Sequence, residues 1–138
     1  MRTQVVIIGG GPSGLLRSQL RYSKWIDSIV LERQTRDHVL GRIRAGVLEQ
    51  GMMAMMAEAG VDARMKEKGI AHHGTLISYD DTLFRIDFQK HTGTSVMVYG
   101  QTEVTQDLYA ARDAHGGQSE FEVVGVIILV ADRDAPFV

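Results

Sequence analysis

The stretch VVIIGGGPSGLL, residues 5–16, decides the fold. A short β-branched run ends abruptly in glycines, and apolar residues resume directly after them. This pattern predicts a buried strand at about 3–8 and a helix over 13–25 that begins at the glycines. A second buried strand is predicted at 29–31. Strand, glycine-rich turn, helix and strand within about thirty residues make a βαβ unit, whose crossover is nearly always right-handed.

The glycines of this stretch form the pattern G-x-G-x-x-G, with Gly9, Gly11 and Gly14 at its fixed positions. Such a turn needs the first glycine for its tight bend, the second for close approach of a pyrophosphate and the third for helix–strand packing. The helix N-terminus presents N–H groups to phosphates, and the Ser13 hydroxyl adds a donor. Glu32, about twenty residues on, is placed to accept from ribose hydroxyls. We therefore predict a Rossmann-like, dinucleotide-binding α/β fold. The alternatives are a turn that only connects its neighbours and a Glu32 that is only solvated.

The crossover helix has an unusually polar pattern for its place. Leu16 and Leu20 begin an apolar stripe, but the next position of that stripe is the polar residue Ser23. Several basic residues occupy the rest of the helix. No glycine ends the helix, and Trp25 stands where a left-handed residue would terminate it. The sequence predicts that this helix forms but packs loosely.

Beyond residue 45 the sequence predicts two further helices and several additional strands. One helix covers 46–59, with Gly60 just past its end, and the other covers 103–115, with Thr102 as its cap and Gly116 as its stop. The predicted strands are 75–79, 83–88, 95–99 and 123–130. The first helix buries the face Leu48, Met52, Met55 and Ala59, and the methionines at 52, 53, 55 and 56 are predicted to fill the core. Phe84, Ile86 and Phe88 alternate with Arg85 and Asp87, as in a sheet that is solvated on one face.

Composition excludes several classes of function. The chain has 138 residues, 44% hydrophobic and 23% charged, which is the usage of ordinary globular domains. Its net charge of −2 provides no field for nucleic acid or an acidic membrane. The absence of cysteine excludes disulfides, thiolate metal sites and a cysteine nucleophile. No apolar run approaches the roughly 18 residues of a spanning helix, and no secretory signal is recognisable, so we expect a cytoplasmic protein. The following histidines lack metal-site spacing and are predicted at the surface or in loops: His72, His73, His91 and His115.

A second distinctive stretch, LERQTRDHVLGRIRAGVLEQG, covers residues 31–51. It clusters four arginines near the expected pyrophosphate, and guanidinium is well suited to bidentate phosphate contacts. Arg42 and Arg44 alternate in a segment predicted to be extended, and Ala45 and Gly46 leave the backbone open to a flat ligand. The alternative is a solvated face in which the arginines pair with neighbouring carboxylates. The four arginines are Arg33, Arg36, Arg42 and Arg44.

Three stretches together carry a family resemblance: VVIIGGGPSGLL, VLERQTRDHVLGRIRAGVLEQGM and VYGQTEVTQDLYAAR. They resemble, in register, the N-terminal part of the 4-hydroxybenzoate 3-monooxygenases, a family of class A flavoprotein aromatic hydroxylases. The resemblance implies FAD as the bound cofactor and NADPH or NADH as the reductant. It also implies oxygen transfer to the aromatic ring ortho to the phenol, with 4-hydroxybenzoate as the small-molecule substrate. A homodimer is one possible assembly of such a protein.

The resemblance also implies roles for individual residues. Contacts with FAD fall to Ser13, Glu32, Arg42, Arg44 and Gln101, and the backbone of Arg42, Ile43, Arg44, Ala45, Gly46 and Val47 lies along the flavin. Contacts with the pyridine nucleotide fall to Arg33, Gln34 and Arg36 to His38. His38 stands where an aromatic hydroxyl is expected, which leaves the choice between NADPH and NADH open.

The same family requires motifs that these residues do not contain. An Asp-Gly motif, a Gly-Asp motif and a substrate domain are absent, so no residue here is assigned as general base or substrate clamp. We therefore predict that residues 1–138 are a partial FAD-binding domain, a βαβ unit with additional strands that is incomplete as a domain. Two alternatives stay open: a nucleotide-binding module without turnover, and a remnant that does not fold stably. A different flavin oxidoreductase is disfavoured by the segments 31–51 and 99–105.

Overall fold

The predicted βαβ unit is present at the start of the chain. In the computed structural model, which describes residues 2–127, β1 (Val5–Ile8) leads through the glycine turn into α1 (Pro12–Tyr22). β2 (Ser28–Leu31) then pairs in parallel with β1, with Val6 opposite Ile29. β-branched residues give both strands their extended backbone, and the glycines at 9–11 allow the chain to reverse into the helix.

The other helices and strands of residues 2–127 are mostly short. They are α2 (Arg36–Gly41), β3 (Val47–Leu48), α3 (Gln50–Glu58), α4 (Ala63–Lys68), β4 (Ile70–His72), β5 (Gly74–Tyr79), β6 (Thr82–Asp87), α5 (Phe88–Thr92), β7 (Val96–Val98), α6 (Gln101–Ala114) and β8 (Ser119–Glu120). A three-stranded parallel sheet has the order β1-β2-β8, an antiparallel sheet has the order β3-β7-β4, and β5 and β6 form a separate hairpin.

The core lies where α1 packs between α6 and α3, beside the parallel sheet. α6 contributes Val104, Leu108 and Tyr109, and α1 contributes Leu15 and Leu16. The remaining buried members of the core are Met56, Ala59, Val61, Met65 and Tyr99.

Within residues 2–127, no helix combines the length and apolar character that crossing a bilayer requires.

The prediction that α1 packs loosely is wrong, because Ser18 and Gln19 are buried beside Leu15 and Leu16 and have hydrogen-bond partners. Ser18 accepts a hydrogen bond from Nη1 of Arg112 at 2.8 Å, and Gln19 donates to the carbonyl oxygen of Ala59 at 3.4 Å. Arg112 is only 2% exposed and also donates to Ser119 Oγ and to the carbonyl oxygens of two other residues, Ser28 and Gln118. A buried arginine with this many acceptors joins α6 to α1, β2 and β8.

The end of α1 has the left-handed residue that the sequence places there. Trp25 has φ of +60°, its N–H donates to Tyr22, and the N–H of Ile26 donates to Arg21. These two bonds are those of a Schellman motif, in which glycine is the favoured left-handed residue. Trp25 instead occupies the position with its side chain 90% exposed.

Three predicted elements differ in detail. The predicted helix 46–59 is β3 followed by α3, so its buried face is turned toward Met56 and Ala59, and Met55 is largely exposed. Gly60 and Gly116, with φ near +70°, end α3 and α6 as predicted, but α6 is capped by Gly100 rather than Thr102. The predicted strand 123–130 is not a strand over 123–127, and its last three residues lie outside the described residues.

The hairpin of β5 and β6 confirms the two strands predicted there but not the one-sided burial. Leu83 and Phe84, which point to opposite faces of β6, are both exposed, and Phe88 begins α5. Asp80 and Asp81 both have positive φ, as a two-residue type I′ turn requires. The hairpin therefore projects from the fold, with apolar side chains on both faces.

The histidines divide into two groups. Those at 72, 73 and 91 are exposed, as predicted. His115 is not a simple surface residue, since its ring stacks on Tyr22 with centroids 3.6 Å apart and its Nε2 lies 3.0 Å from Gln19 Oε1. Burial and the nearby Arg112 guanidinium lower the pKa of His115.

Candidate functional site

The glycine turn has the predicted tight bend at Gly9 and the predicted close helix–strand packing at Gly14. Gly9 has φ of +110°, and its N–H donates to the carbonyl oxygen of Leu31 at 2.7 Å. A Cβ on Gly14 would overlap the carbonyl oxygen of Gly9, so only glycine lets α1 pack this close to the turn. A Cβ on Gly11 would meet no atom of the described residues within 4 Å, which leaves space beside it for a ligand.

Among residues 2–127, no side chain caps the N-terminus of α1. Its N-cap is Gly11, which has no side chain to accept from the first-turn N–H groups, and Pro12 follows it. Ser13 is exposed beside these groups. Unpaired N–H groups and the positive end of the helix dipole favour a phosphate here.

Glu32 lies at the end of β2, directly against the turn. Its Oε2 accepts from the Gly10 N–H at 2.6 Å, and its Oε1 accepts from the Gln34 N–H at 2.9 Å. Each carboxylate oxygen has a second lone pair, so the side chain is fixed in place and still able to accept from a ligand hydroxyl. The alternative of a merely solvated Glu32 does not describe this arrangement. Gln34 is fixed through its backbone.

Sequence reasoning missed Tyr109 and Gly10. The Tyr109 hydroxyl donates to the Gly10 carbonyl oxygen at 2.8 Å, across 99 positions of sequence. A Cβ on Gly10 would lie 2.9 Å from that hydroxyl oxygen, so a larger residue there would require the Tyr109 side chain to shift. The available signal was the spacing of Thr105, Tyr109 and Arg112, which extends the buried face of α6 beyond Val104 and Leu108.

The four arginines of residues 31–51 do not form one cluster. Arg36 is bound within the protein: Nη2 donates to Asp113 Oδ2 at 2.6 Å, and the guanidinium lies 4.5 Å from the centroid of the Tyr109 ring. Arg33, Arg42 and Arg44 are exposed. Arg42 ends α2 with extended dihedral angles and begins the irregular segment that reaches β3, as the prediction of an extended segment requires.

A cavity of about 710 Å³ lies beside the N-terminus of α1. It brings together four of the predicted residues, Ser13 and Gln101 from two helix N-termini and Ala45 and Val47 from the segment before α3. Leu16, Leu20, Leu48 and Met52 supply apolar walls, and Arg17 and Arg21 add positive charge. The cavity therefore has a long apolar wall with an anion-binding helix end next to it.

Gly46 packs closely against the backbone that precedes α6. A Cβ there would overlap the Tyr99 carbonyl and the Gly100 Cα, and the Tyr99 N–H donates to the Gly46 carbonyl oxygen at 2.8 Å. The glycine is thus needed for backbone packing against the start of α6, which places Ala45 and Val47 beside Gln101. Ile43, by contrast, is almost fully exposed.

Comparisons with known proteins agree with this geometry. Residues 2–129 match the FAD binding domain family. The chain is 47% identical over 123 residues to the p-hydroxybenzoate hydroxylase of Acinetobacter baylyi, covering 88% of this chain and 30% of that protein. The chain thus spans about a third of the length of the relatives it matches.

Solved structures show the same fold at low identity. PqsL of Pseudomonas aeruginosa, in complex with 2-aminobenzoylacetate, superposes with a TM-score of 0.78 at 17% identity over 87% of this chain and 33% of that one. The p-nitrophenol 4-monooxygenase PnpA of Pseudomonas putida DLL-E4 gives 0.72 at 18% identity, covering 85% and 31%. Fold, glycine turn and family match agree, and this chain belongs to the FAD-binding domain family that also includes flavoprotein hydroxylase relatives.

Proposed function

We propose that this chain is the FAD-binding portion of an NAD(P)H-dependent flavoprotein monooxygenase that converts 4-hydroxybenzoate to 3,4-dihydroxybenzoate. The observation that carries the proposal is the convergence of Ser13, Ala45, Val47 and Gln101 on one cavity beside an uncapped helix N-terminus. The identity to the Acinetobacter hydroxylase supports the reaction and the substrate. Because the chain spans 30% of that relative, we assign the activity to a longer protein.

The residues fit FAD in the following way. The open space at Gly11 and the free N–H groups of α1 accommodate a diphosphate, and the Ser13 hydroxyl adds a donor. Glu32 is held where it accepts from a ribose hydroxyl. The segment from Arg42 to Val47 lies along the flavin, and Gln101 binds it from the start of α6.

Bound FAD would supply the redox chemistry, with NAD(P)H as the reductant and O₂ as the source of the oxygen atom added to the ring, the second oxygen atom leaving as water. The residues of this chain bind and orient the cofactor and shield one side of it. Arg33 and Gln34, exposed or half-buried after β2, contact the pyridine nucleotide. No residue here acts as acid or base toward the substrate.

Flavin binding by the purified chain tests the cofactor site. Titration with FAD, followed by flavin fluorescence, gives the dissociation constant. Gln101→Ala is expected to weaken binding about three- to tenfold, the effect of one lost hydrogen bond. Gln106→Ala, on an exposed position of the same helix, is the matched control and should bind as the parent chain does. Equal dissociation constants for the two variants would remove Gln101 from the site.

The reaction is tested on the longer protein encoded by the reading frame that contains these residues. NADPH oxidation that depends on 4-hydroxybenzoate and yields 3,4-dihydroxybenzoate supports the proposal. FAD bound without such oxidation identifies a nucleotide-binding module instead. A featureless circular dichroism spectrum without a cooperative melt identifies a chain that does not fold stably.

A further inference from the structure

We propose that Tyr109 is a positioning residue of the cofactor site, which fixes the peptide between Gly10 and Gly11 from the far side of the turn. The inference rests on the proposed function, since it concerns how the turn meets the FAD diphosphate. The Tyr109 side chain is 1% exposed and lies outside the cavity, so it acts through the turn and not by contact with the cofactor.

Both peptide groups of Gly10 are held by side chains. The N–H donates to Glu32 Oε2 at 2.6 Å, and the carbonyl oxygen accepts from the Tyr109 hydroxyl at 2.8 Å. The Gly10 carbonyl and the Gly11 N–H belong to one planar peptide. Fixing the carbonyl therefore fixes the direction in which the Gly11 N–H points, at the position where the space is open to a ligand.

The Tyr109 ring is itself fixed by its neighbours. The Arg36 guanidinium lies over one face at 4.5 Å from the centroid and is bound to Asp113, one turn further along α6. Phe121 packs at a tilt with its centroid 6.0 Å away. Burial, with the nearby Glu32 carboxylate, raises the pKa of Tyr109 to about 12, so the hydroxyl keeps the proton that it donates.

Tyr99 provides a matched control within the same fold. It is 4% exposed, and its hydroxyl donates to Asp107 Oδ2 at 2.6 Å. That bond joins a residue two positions before α6 to the middle of the helix and does not reach the glycine turn. Removing either hydroxyl costs one hydrogen bond, but of the two only the Tyr109 hydroxyl contacts the turn.

The test compares Tyr109→Phe with Tyr99→Phe in the full chain. FAD dissociation constants are measured by flavin fluorescence, stability by urea unfolding, and exchange of the Gly10 amide proton by NMR without flavin. We expect Tyr109→Phe to weaken FAD binding about three- to tenfold and to speed exchange of the Gly10 amide proton, which donates to Glu32 Oε2. We expect Tyr99→Phe to lower stability and to leave the FAD dissociation constant and the Gly10 exchange rate unchanged.

The outcomes distinguish failure of the positioning role of Tyr109 from failure of the proposed FAD-binding function. Unchanged exchange of the Gly10 amide proton in Tyr109→Phe overturns the positioning role, whether or not FAD binds. Faster exchange with unaltered FAD affinity also overturns it, because the turn would then move without consequence for the cofactor. If the parent chain does not bind FAD, the proposed function fails by itself, and the exchange data still show whether Tyr109 holds the turn.

Discussion

The α-carbon of Gly14 faces the carbonyl oxygen of Gly9 so closely that no side-chain atom fits between them. This contact sets how near the first turn of α1 comes to the end of β1, and therefore where the helix N-terminus points. The third glycine of the motif is required by packing within the protein, independently of any ligand.

Gly14→Ala is expected to destabilise the fold by about 1–3 kcal/mol, because the added methyl group overlaps backbone that cannot rotate away. Gly51→Ala is the control, since a Cβ there meets no atom within 4 Å and alanine is favoured in a helix. Urea unfolding of the two variants and the parent measures the difference. Equal stability of the Gly14 and Gly51 variants would contradict the packing role.

Trp25→Gly is expected to stabilise the chain by about 1 kcal/mol, because Trp25 occupies a left-handed conformation that disfavours residues with a Cβ. Trp25→Ala removes the exposed ring but keeps the Cβ, and should leave stability near that of the parent. Thermal melts followed by circular dichroism compare the three chains. A gain shared by both variants would assign the effect to the indole and not to the backbone.

Arg112→Lys is expected to cost about 2–4 kcal/mol of stability, because an ammonium cannot serve acceptors on α1, β2 and β8 at once and leaves buried oxygens without donors. Arg64→Lys is the matched substitution. Arg64 bridges Glu103 and Asp107 but its side chain is 36% exposed, so its loss should cost less than about 1 kcal/mol. Chemical denaturation of both variants tests this order, and a larger loss at Arg64 would refute it.

Stability is expected to fall as the pH rises above 10. Burial raises the pKa of Tyr109 from 10.0 to about 12, and burial together with Asp107 also raises the pKa of Tyr99. The native state therefore retains phenol protons that the unfolded chain loses near pH 10, and stability decreases as the pH climbs through this interval. Urea midpoints at pH 8, 10 and 11 measure the slope. Tyr109→Phe should flatten it, and a slope identical to that of the parent would contradict the assignment.

Much of the candidate site was predictable because its signals are local. The strand, the glycine turn, the start of α1 and the end of β2 lie within 28 residues, from Val5 to Glu32, and their conformations follow from glycine freedom and β-branching. The left-handed position of Trp25 and the helix stops at Gly60 and Gly116 are equally local.

The errors came from contacts between distant segments. The polar face of α1 indicated loose packing, because the sequence does not show that Arg112 supplies donors for Ser18. The buried face of α3 shifted to Met56 because the chain first forms β3, whose partner β7 lies about fifty residues later.

The sequence by itself determined the glycine turn of the candidate cofactor site, because a tight bend and close backbone approach require glycine at fixed local spacing. Only the tertiary structure decided what holds that turn in place. Tyr109 reaches Gly10 across 99 positions, and Arg36, although it lies among the arginines near the site, binds Asp113 and Tyr109 instead. The physical reason is that hydrogen bonds and burial depend on distance in space, and local pattern carries no record of which distant side chains the folded chain brings together.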